Sequence, residues 1–121
     1  MPFEIHQEKS IQRDPLSVYQ AGMKAVEKLQ GKFVSTDAAK FKFEAKFPKT
    51  ILGKTLGDRT YFSCIIHQEG EGCQVVVDIY PLDAVERKLL FGARKGVSAT
   101  VASWFFAHLE NNLGIPAKES N

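Results

Sequence analysis

The chain has 121 residues, 44% of them hydrophobic and 25% charged, with a formal net charge of +2. This length suits one compact domain that needs no disulfide or metal, so we expect a single domain over residues 1–121. The small charge does not indicate a strongly basic nucleic-acid-binding protein. No apolar run approaches the roughly 20 residues of a membrane span, and Glu4 lies where a secretory signal would be basic. We therefore expect a cytoplasmic protein without a membrane partner.

The first elements are a strand and a helix. Phe3 and Ile5, two residues apart and followed by Gln7, predict a first strand with alternating sides that runs to about Ile11. Asp14-Pro15 is typical of an N-cap followed by proline in the first turn of a helix. One apolar helix face follows, formed by Leu16, Tyr19, Met23, Val26 and Leu29. Gly31 is the expected stop in a left-handed conformation, so the helix is predicted over residues 15–30.

The next stretch contains a strand over residues 32–35, a turn around 37–39 and a strongly alternating strand over 40–47. In FKFEAKF the apolar parity is Phe41, Phe43, Ala45 and Phe47. The polar parity is Lys42, Glu44 and Lys46. Period-two alternation predicts a strand that buries its phenylalanines under the helices and directs both lysines outward.

Residues 59–81 predict a β-hairpin with Gly70-Glu71 as a two-residue turn. This register sets Phe62 opposite Ile79 and Cys64 opposite Val77 on an apolar face. On the other face it sets Tyr61 opposite Tyr80 and Ile65 opposite Val76.

Two interpretations of residues 82–96 stay open: a short edge strand at 87–91, or a loop. From Val97 to about Gly114 we expect a long last helix. Its apolar residues span about half its circumference, so it should lie deep against the sheet; they are Val97, Val101, Trp104, Phe105, Phe106, Leu109 and Leu113. A mobile tail is expected over 117–121.

The cysteines and histidines predict neither a metal site nor a catalytic centre. The hairpin register keeps Cys64 and Cys73 apart and turns both inward, where free cysteine packs as a small apolar residue. The three histidines are scattered and form no HxxxH or HxH motif. We expect no metal, no cofactor and no catalytic residue, although an enzymatic role stays open.

The loop FGARKGVS, residues 91–98, is the candidate ligand site. Backbone amides at a helix start, with Arg94, Lys95 and Ser98 beside them, would suit a phosphate or carboxylate. The alternative is a basic exposed loop with Ser98 as the helix cap. The spacing departs from the P-loop GxxxxGK[ST].

The outward face of the sheet is the candidate partner surface. Tyrosines beside aliphatic residues are more apolar than an exposed face requires, which indicates a covering partner. The predicted surface consists of Lys42, Lys46, Tyr61, Ile65, Val76 and Tyr80. Residues 40–59 carry six bases and two acids, while residues 69–86 carry five acids and no base. If those segments were neighbouring strands, their fields would largely cancel.

The fold class is therefore α+β, an antiparallel sheet of about five strands with two helices on one face, in the order β-α-β-β-β-β-α. In this order the chain resembles the TATA-binding-protein-like fold and a shortened form of the helix-grip fold of plant-allergen and START-type ligand carriers. The resemblance spans residues 3–113 and rests on topology without signature residues. The first family pairs two such units and the second has more strands, so neither function carries over directly.

Three functions remain open. The first is a non-enzymatic binding or assembly domain that uses the outward sheet face, as a homodimer. The second is a carrier, or in a secondary alternative a lyase-type enzyme, for an apolar or amphipathic anionic small molecule held between the sheet and the last helix near Arg94 and Lys95. The third is binding of single-stranded nucleic acid, with Lys42, Lys46, Tyr61 and Tyr80 facing the bases, although nucleic acid is the least expected partner.

Overall fold

The computed structural model describes residues 4–56, 58–83, 85, 87–88 and 96–114. In chain order its elements are β1 (Ile5–Ile11), α1 (Pro15–Lys28), β2 (Lys32–Asp37), β3 (Lys42–Phe47), β4 (Thr50–Ile51), β5 (Lys54–Thr55), β6 (Thr60–Glu69), β7 (Gly72–Pro81) and α2 (Val97–Asn112). The expected α+β class and element order are confirmed. The tail expected over 117–121 lies outside the described residues.

The main sheet has five antiparallel strands in the order β1-β7-β6-β3-β2. The predicted β6–β7 register is confirmed, with Phe62 opposite Ile79 and Tyr61 opposite Tyr80. Gly70 takes a φ of 60° in the two-residue turn, which suits a glycine-first hairpin. Helix α1 lies over β3 and β6, and α2 lies over β7 and β1, so both helices cover one face.

Helix α1 begins as the sequence predicts. The Asp14 carboxylate accepts hydrogen bonds from the Ser17 amide at 2.9 Å and the Ser17 hydroxyl at 2.8 Å. The bond from the Ser17 amide is the main reason that the pKa of Asp14 falls below its ordinary value. The cap therefore satisfies one of the free amides of the first turn.

The end of α1 corrects the predicted role of Gly31. Gln30, not Gly31, takes the left-handed conformation, with a φ of 68°. The Gln30 side-chain oxygen also accepts a hydrogen bond from the Leu52 amide at 3.1 Å. A Cβ atom on Gly31 would lie 2.7 Å from both the Phe47 ring and Val26. Glycine is needed here because the close approach to the sheet leaves no room for a side chain.

Strand β3 has the predicted burial pattern but begins later than residue 40. Residues Ala38–Lys40 form a 3-10 turn, and Phe41 follows with a left-handed φ of 52°. From Lys42 the alternation holds, with Phe43, Ala45 and Phe47 buried. The phenylalanines therefore face the helices, and the lysines of this strand lie on the opposite face.

The space between sheet and helices is filled by phenylalanine rings. Phe43, Phe47, Phe62 and Phe105 are at most 1% exposed. The Phe62 ring lies 4.7 Å from Phe105 and 5.5 Å from Phe47, measured between ring centroids. Such tilted and edge-to-face contacts add to the stabilisation that comes from burying the rings.

Helix α2 is held to β1 by a partly buried ion pair as well as by its apolar face. The Lys9 ammonium donates to Glu110 at 2.8 Å and also lies 5.6 Å from the centre of the Phe106 ring. The deep packing expected of α2 is confirmed for Val101, Phe105 and Leu109. Trp104 and Leu113, which the sequence placed in the same buried arc, are only half-buried.

The sequence pattern did not predict the secondary structure of two short segments. Strands β4 and β5 form a small separate hairpin whose tip, Leu52, takes a left-handed φ of 50°. In the open region 82–96, Leu82 pairs with Lys88 in an isolated bridge, and residues 89–95 lie outside the described residues. Only residues 87 and 88 of the predicted edge strand are described, so the strand and the loop both stay open.

We expect Gly31→Ala to lower the free energy of unfolding by about 1–3 kcal/mol, because the added methyl overpacks the Phe47 ring. Urea denaturation of the purified variant measures this change. Lys32→Ala is the matched control, since Lys32 is exposed and should change stability by less than about 0.5 kcal/mol. Equal stability of both variants would contradict the packing role.

Candidate functional site

The outer face of the sheet brings together all six residues of the predicted partner surface. Lys42, Ile65 and Val76 lie in one row across β3, β6 and β7. Lys46, Tyr61 and Tyr80 lie in a second row, further along the strands. All six side chains are half-buried in the single chain. The six form one continuous surface, which we call the outer face.

The two tyrosines are stacked on each other. Their ring centroids lie 4.9 Å apart with an interplanar angle of 19°. The Lys88 ammonium lies 5.4 Å from the Tyr80 ring centre and donates to Glu4 at 2.8 Å. The stack therefore presents a preformed aromatic platform whose one end is already covered by a cation.

The outer face is electrically polarised, which corrects the expected cancellation of fields. Strand β3, which carries Lys42 and Lys46, and strand β7, whose one acid is Asp78, are not neighbours, because β6 lies between them. Beyond β7, strand β1 and the residue before it add the acids Glu8 and Glu4. One flank of the apolar strip therefore carries Lys42 and Lys46 with Glu44 between them, and the other carries Glu8, Asp78 and Glu4, of which Glu4 is paired with Lys88.

His6 is a member of this surface that the sequence did not assign. Its imidazole lies 2.8 Å from the Glu8 carboxylate and 2.6 Å from that of Asp78, one contact for each ring nitrogen. The hydrogen bond to Glu8, followed by that to Asp78, raises the pKa of His6 above its ordinary value. The sequence around His6 could not predict these contacts, because the contact with Asp78 requires β1 to lie beside β7.

The predicted anion site at the start of α2 is only partly described. Arg94 and Lys95 lie outside the described residues, so their part of that prediction is untested. Ser98 is 2% exposed, and its hydroxyl has no hydrogen-bond partner among the residues that the structure describes. Gly96, with a φ of 81°, occupies the N-cap position, which corrects the alternative in which Ser98 caps the helix.

Both cysteines are free and buried, as the hairpin register predicts. Burial raises the pKa of the Cys64 thiol far above its ordinary value and that of Cys73 to about 11. Neither is a reactive thiolate near neutral pH. Within the described part of the chain, no three His, Cys, Asp or Glu side chains converge as metal ligands, and no helix is long and apolar enough to cross a bilayer.

A second candidate site is a groove between α2 and the β4–β5 hairpin. Its volume is about 300 Å³, and its walls are mainly apolar. Leu29, Leu52 and Trp104 line it, with Lys54 and His108 also contributing. Leu52 is 49% exposed, which is high for a leucine that lines a concave site. The groove combines an apolar interior with a cation.

The sequence matches no protein-family model and no curated protein significantly. Its structure is similar to that of Ara h 8.0201, with a TM-score of 0.58 and 11% identity over 92% of this chain and 97% of that one. It is also similar to TTHA0849 from Thermus thermophilus, with a TM-score of 0.56 and 16% identity over 91% and 96%. DynU16, from the dynemicin biosynthetic locus, has a TM-score of 0.52 and 14% identity over 94% and 48%.

These likenesses concern the fold alone, because the identities to these three structures are at most 16%. The first two neighbours are small α+β domains, and Ara h 8.0201 is Bet v 1-like. The plant-allergen half of the predicted resemblance is therefore supported at the level of the fold. Neither neighbour is described as TATA-binding-protein-like, so that half stays a prediction. A shared fold does not transfer a function, which must be argued from the surfaces of this chain.

We expect the pKa of His6, followed by NMR titration, to lie above 6.5 and to fall in Asp78→Asn, which removes one carboxylate. Because the folded-state pKa is raised, the stabilisation is complete below the unfolded pKa of about 6.5. It is lost as the pH rises through the folded pKa. Glu71→Gln, in the exposed β6–β7 turn, is the control and should leave the His6 titration unchanged. If the pKa of His6 in the unmodified protein is not raised, its contacts with Glu8 and Asp78 are contradicted.

Proposed function

We propose that the protein is a small non-enzymatic binding and assembly domain whose working surface is the outer face. Its first partner is a second copy of the chain. The observation that carries this proposal is the continuous strip of Tyr61, Ile65, Val76 and Tyr80 at the centre of the sheet, on the face that neither helix covers.

Burial supports this assignment. The four strip residues are half-buried in the single chain, so a partner would remove further apolar surface from water. Each square ångström removed contributes about 25 cal/mol, and preformed aromatic rings lose little conformational entropy on binding. Tyrosine is also among the residues enriched at the centres of protein interfaces.

The chemistry of the site favours binding over catalysis. The titratable groups on the outer face are carboxylates, lysines, His6 and the two tyrosines, and they lie on the face of the sheet that neither helix covers. General acid–base catalysis needs a positioned group whose substrate is held against it in a concave site. The paired contacts of His6 with Glu8 and Asp78 instead favour the protonated form as a fixed surface charge.

We expect the purified protein to self-associate in sedimentation velocity runs over a concentration series, and Tyr61→Glu to shift it toward the monomer. The substitution places a charge in the centre of the strip, where desolvating it is costly. Leu16→Glu is the matched control, because Leu16, which the sequence wrongly placed on the apolar face of α1, is 51% exposed in the opposite layer. A protein that stays monomeric at millimolar concentration, or that responds equally to both substitutions, would rule out this surface.

A second function, carriage of an amphipathic anion, is favoured by the groove at Leu29, Leu52 and Trp104. The phenylalanine-filled layer under the helices leaves this groove as a better position for a ligand than the interior between sheet and α2. Lys54 would pair with the carboxylate or phosphate of the ligand, while the apolar walls would hold its chain.

Trp104 offers a direct test because it is the only tryptophan of the chain. If the groove carries such ligands, dodecanoate should shift its fluorescence emission at submillimolar concentration. Lys54→Glu should weaken that binding, while Lys24→Glu on α1 should not. An emission spectrum that dodecanoate leaves unchanged would exclude a carrier role for this groove.

Nucleic-acid binding on the outer face stays a prediction. The mutual stacking of Tyr61 and Tyr80 occupies one face of each ring, which leaves less aromatic surface for a base.

A further inference from the structure

We propose that two copies of the chain associate outer face to outer face about a two-fold axis that runs parallel to the strands, between β6 and β7. This inference rests on the proposed function and adds the orientation of the partner. It is carried by the distribution of charge on either side of the apolar strip.

Three rows of side chains cross the outer face in register from β3 to β1. They are Lys42–Ile65–Val76–Glu8, Glu44–Ser63–Asp78–His6 and Lys46–Tyr61–Tyr80–Glu4. Glu4 precedes the first residue of β1 and is placed in the third row by Lys88, which contacts both Glu4 and the Tyr80 ring. Each row carries one charge on β3 and another on the β1 side, and beyond β3 the edge strand β2 sets Asp37 beside Lys42 and Lys32 beside Lys46.

A two-fold axis parallel to the strands exchanges the two ends of every row. Lys42 of one copy then faces Glu8 of the other, and Lys46 faces Glu4. In the middle row, Glu44 faces His6, whose contacts with Glu8 and Asp78 favour its protonated form. The first two rows therefore set opposite charges against each other, whereas in the third row Glu4 is already paired with Lys88 of its own chain at 2.8 Å. Symmetry repeats each contact twice.

An axis across the strands gives the opposite result. It exchanges the first row with the third within each strand, so Lys42 would face Lys46 and Glu8 would face Glu4. Both flanks would then bring like charges together. Rim charges mainly select orientation and exclude wrong arrangements, so their pattern distinguishes these two packings.

The centre of the proposed interface is apolar in both copies. The strand-parallel axis sets Ile65 against Val76 and the tyrosine stack of one copy against that of the other. It also sets the Ser63 hydroxyl against the Asp78 carboxylate, a donor against an acceptor. Aligned face-to-face sheets pack about 10 Å apart with strands about 30° from parallel, which these side chains can span.

The size of the surface predicts a weak dimer. Four strands about 4.8 Å apart and three rows about 7 Å apart give a footprint of roughly 400 Å² per copy. This is below the roughly 800 Å² per partner of stable complexes. Association should therefore be reversible and dependent on concentration.

Charge reversal tests the axis. In sedimentation velocity runs, Lys42→Glu and Glu8→Lys should each raise the dimer dissociation constant about tenfold, because each creates two like-charge contacts per dimer. An equimolar mixture of the two variants should restore association to within about threefold of the unmodified protein, since the mixed dimer regains opposite charges in both places. Lys24→Glu, with the same charge change on α1, controls for net charge, and thermal melts of each variant verify folding.

The outcomes separate the axis from the proposed function. If Lys42→Glu strengthens association, the axis runs across the strands, and the proposed function survives without this inference. If association depends on Tyr61 but Lys42→Glu behaves as Lys24→Glu, the charged rows lie outside the interface and the axis is wrong. If the unmodified protein does not associate through Tyr61 at all, both the inference and the proposed function are overturned.

Discussion

The pairing register of β6 with β7 decides which side chains face the helices and which face outward. Because side chains alternate along a strand, a slip of one residue would exchange the two faces entirely. The two-residue turn at Gly70-Glu71 sets Phe62 opposite Ile79, and so places the tyrosines on the other side. The aromatic core and the outer face are therefore two consequences of one turn.

The aromatic core in turn limits what the fold can do. Similar solved structures show that this arrangement of sheet and helices is shared by proteins with little sequence in common. In this chain Phe43, Phe47, Phe62 and Phe105 occupy the space between the layers. Binding is therefore better placed on surfaces than in the interior, and the outer face is the surface that we propose. Its polarity arises because β6 separates the lysines of β3 from the acids of β7 and β1.

The sequence predicts best where structure depends on neighbouring residues. Alternation in FKFEAKF and the glycine of the turn were enough to assign the buried faces of β3, β6 and β7 and to collect the six outer-face residues. The position of β1 beside β7 is a tertiary fact, so His6 and the acidic flank were missed. Gly31 was misinterpreted for the same reason, because the constraint on it comes from Phe47, on a remote strand. The β4–β5 hairpin is too short for any periodicity to reveal.

Intermolecular contacts across the outer face test the account most directly. In a mixture of isotope-labelled and unlabelled protein, filtered NOE spectra report only contacts between different copies. We expect cross-peaks between the methyl groups of Ile65 in one copy and Val76 in the other, since the strand-parallel axis sets these residues face to face. Cross-peaks that instead join Val76 to Tyr80, or an absence of intermolecular contacts on this face at millimolar concentration, would contradict it.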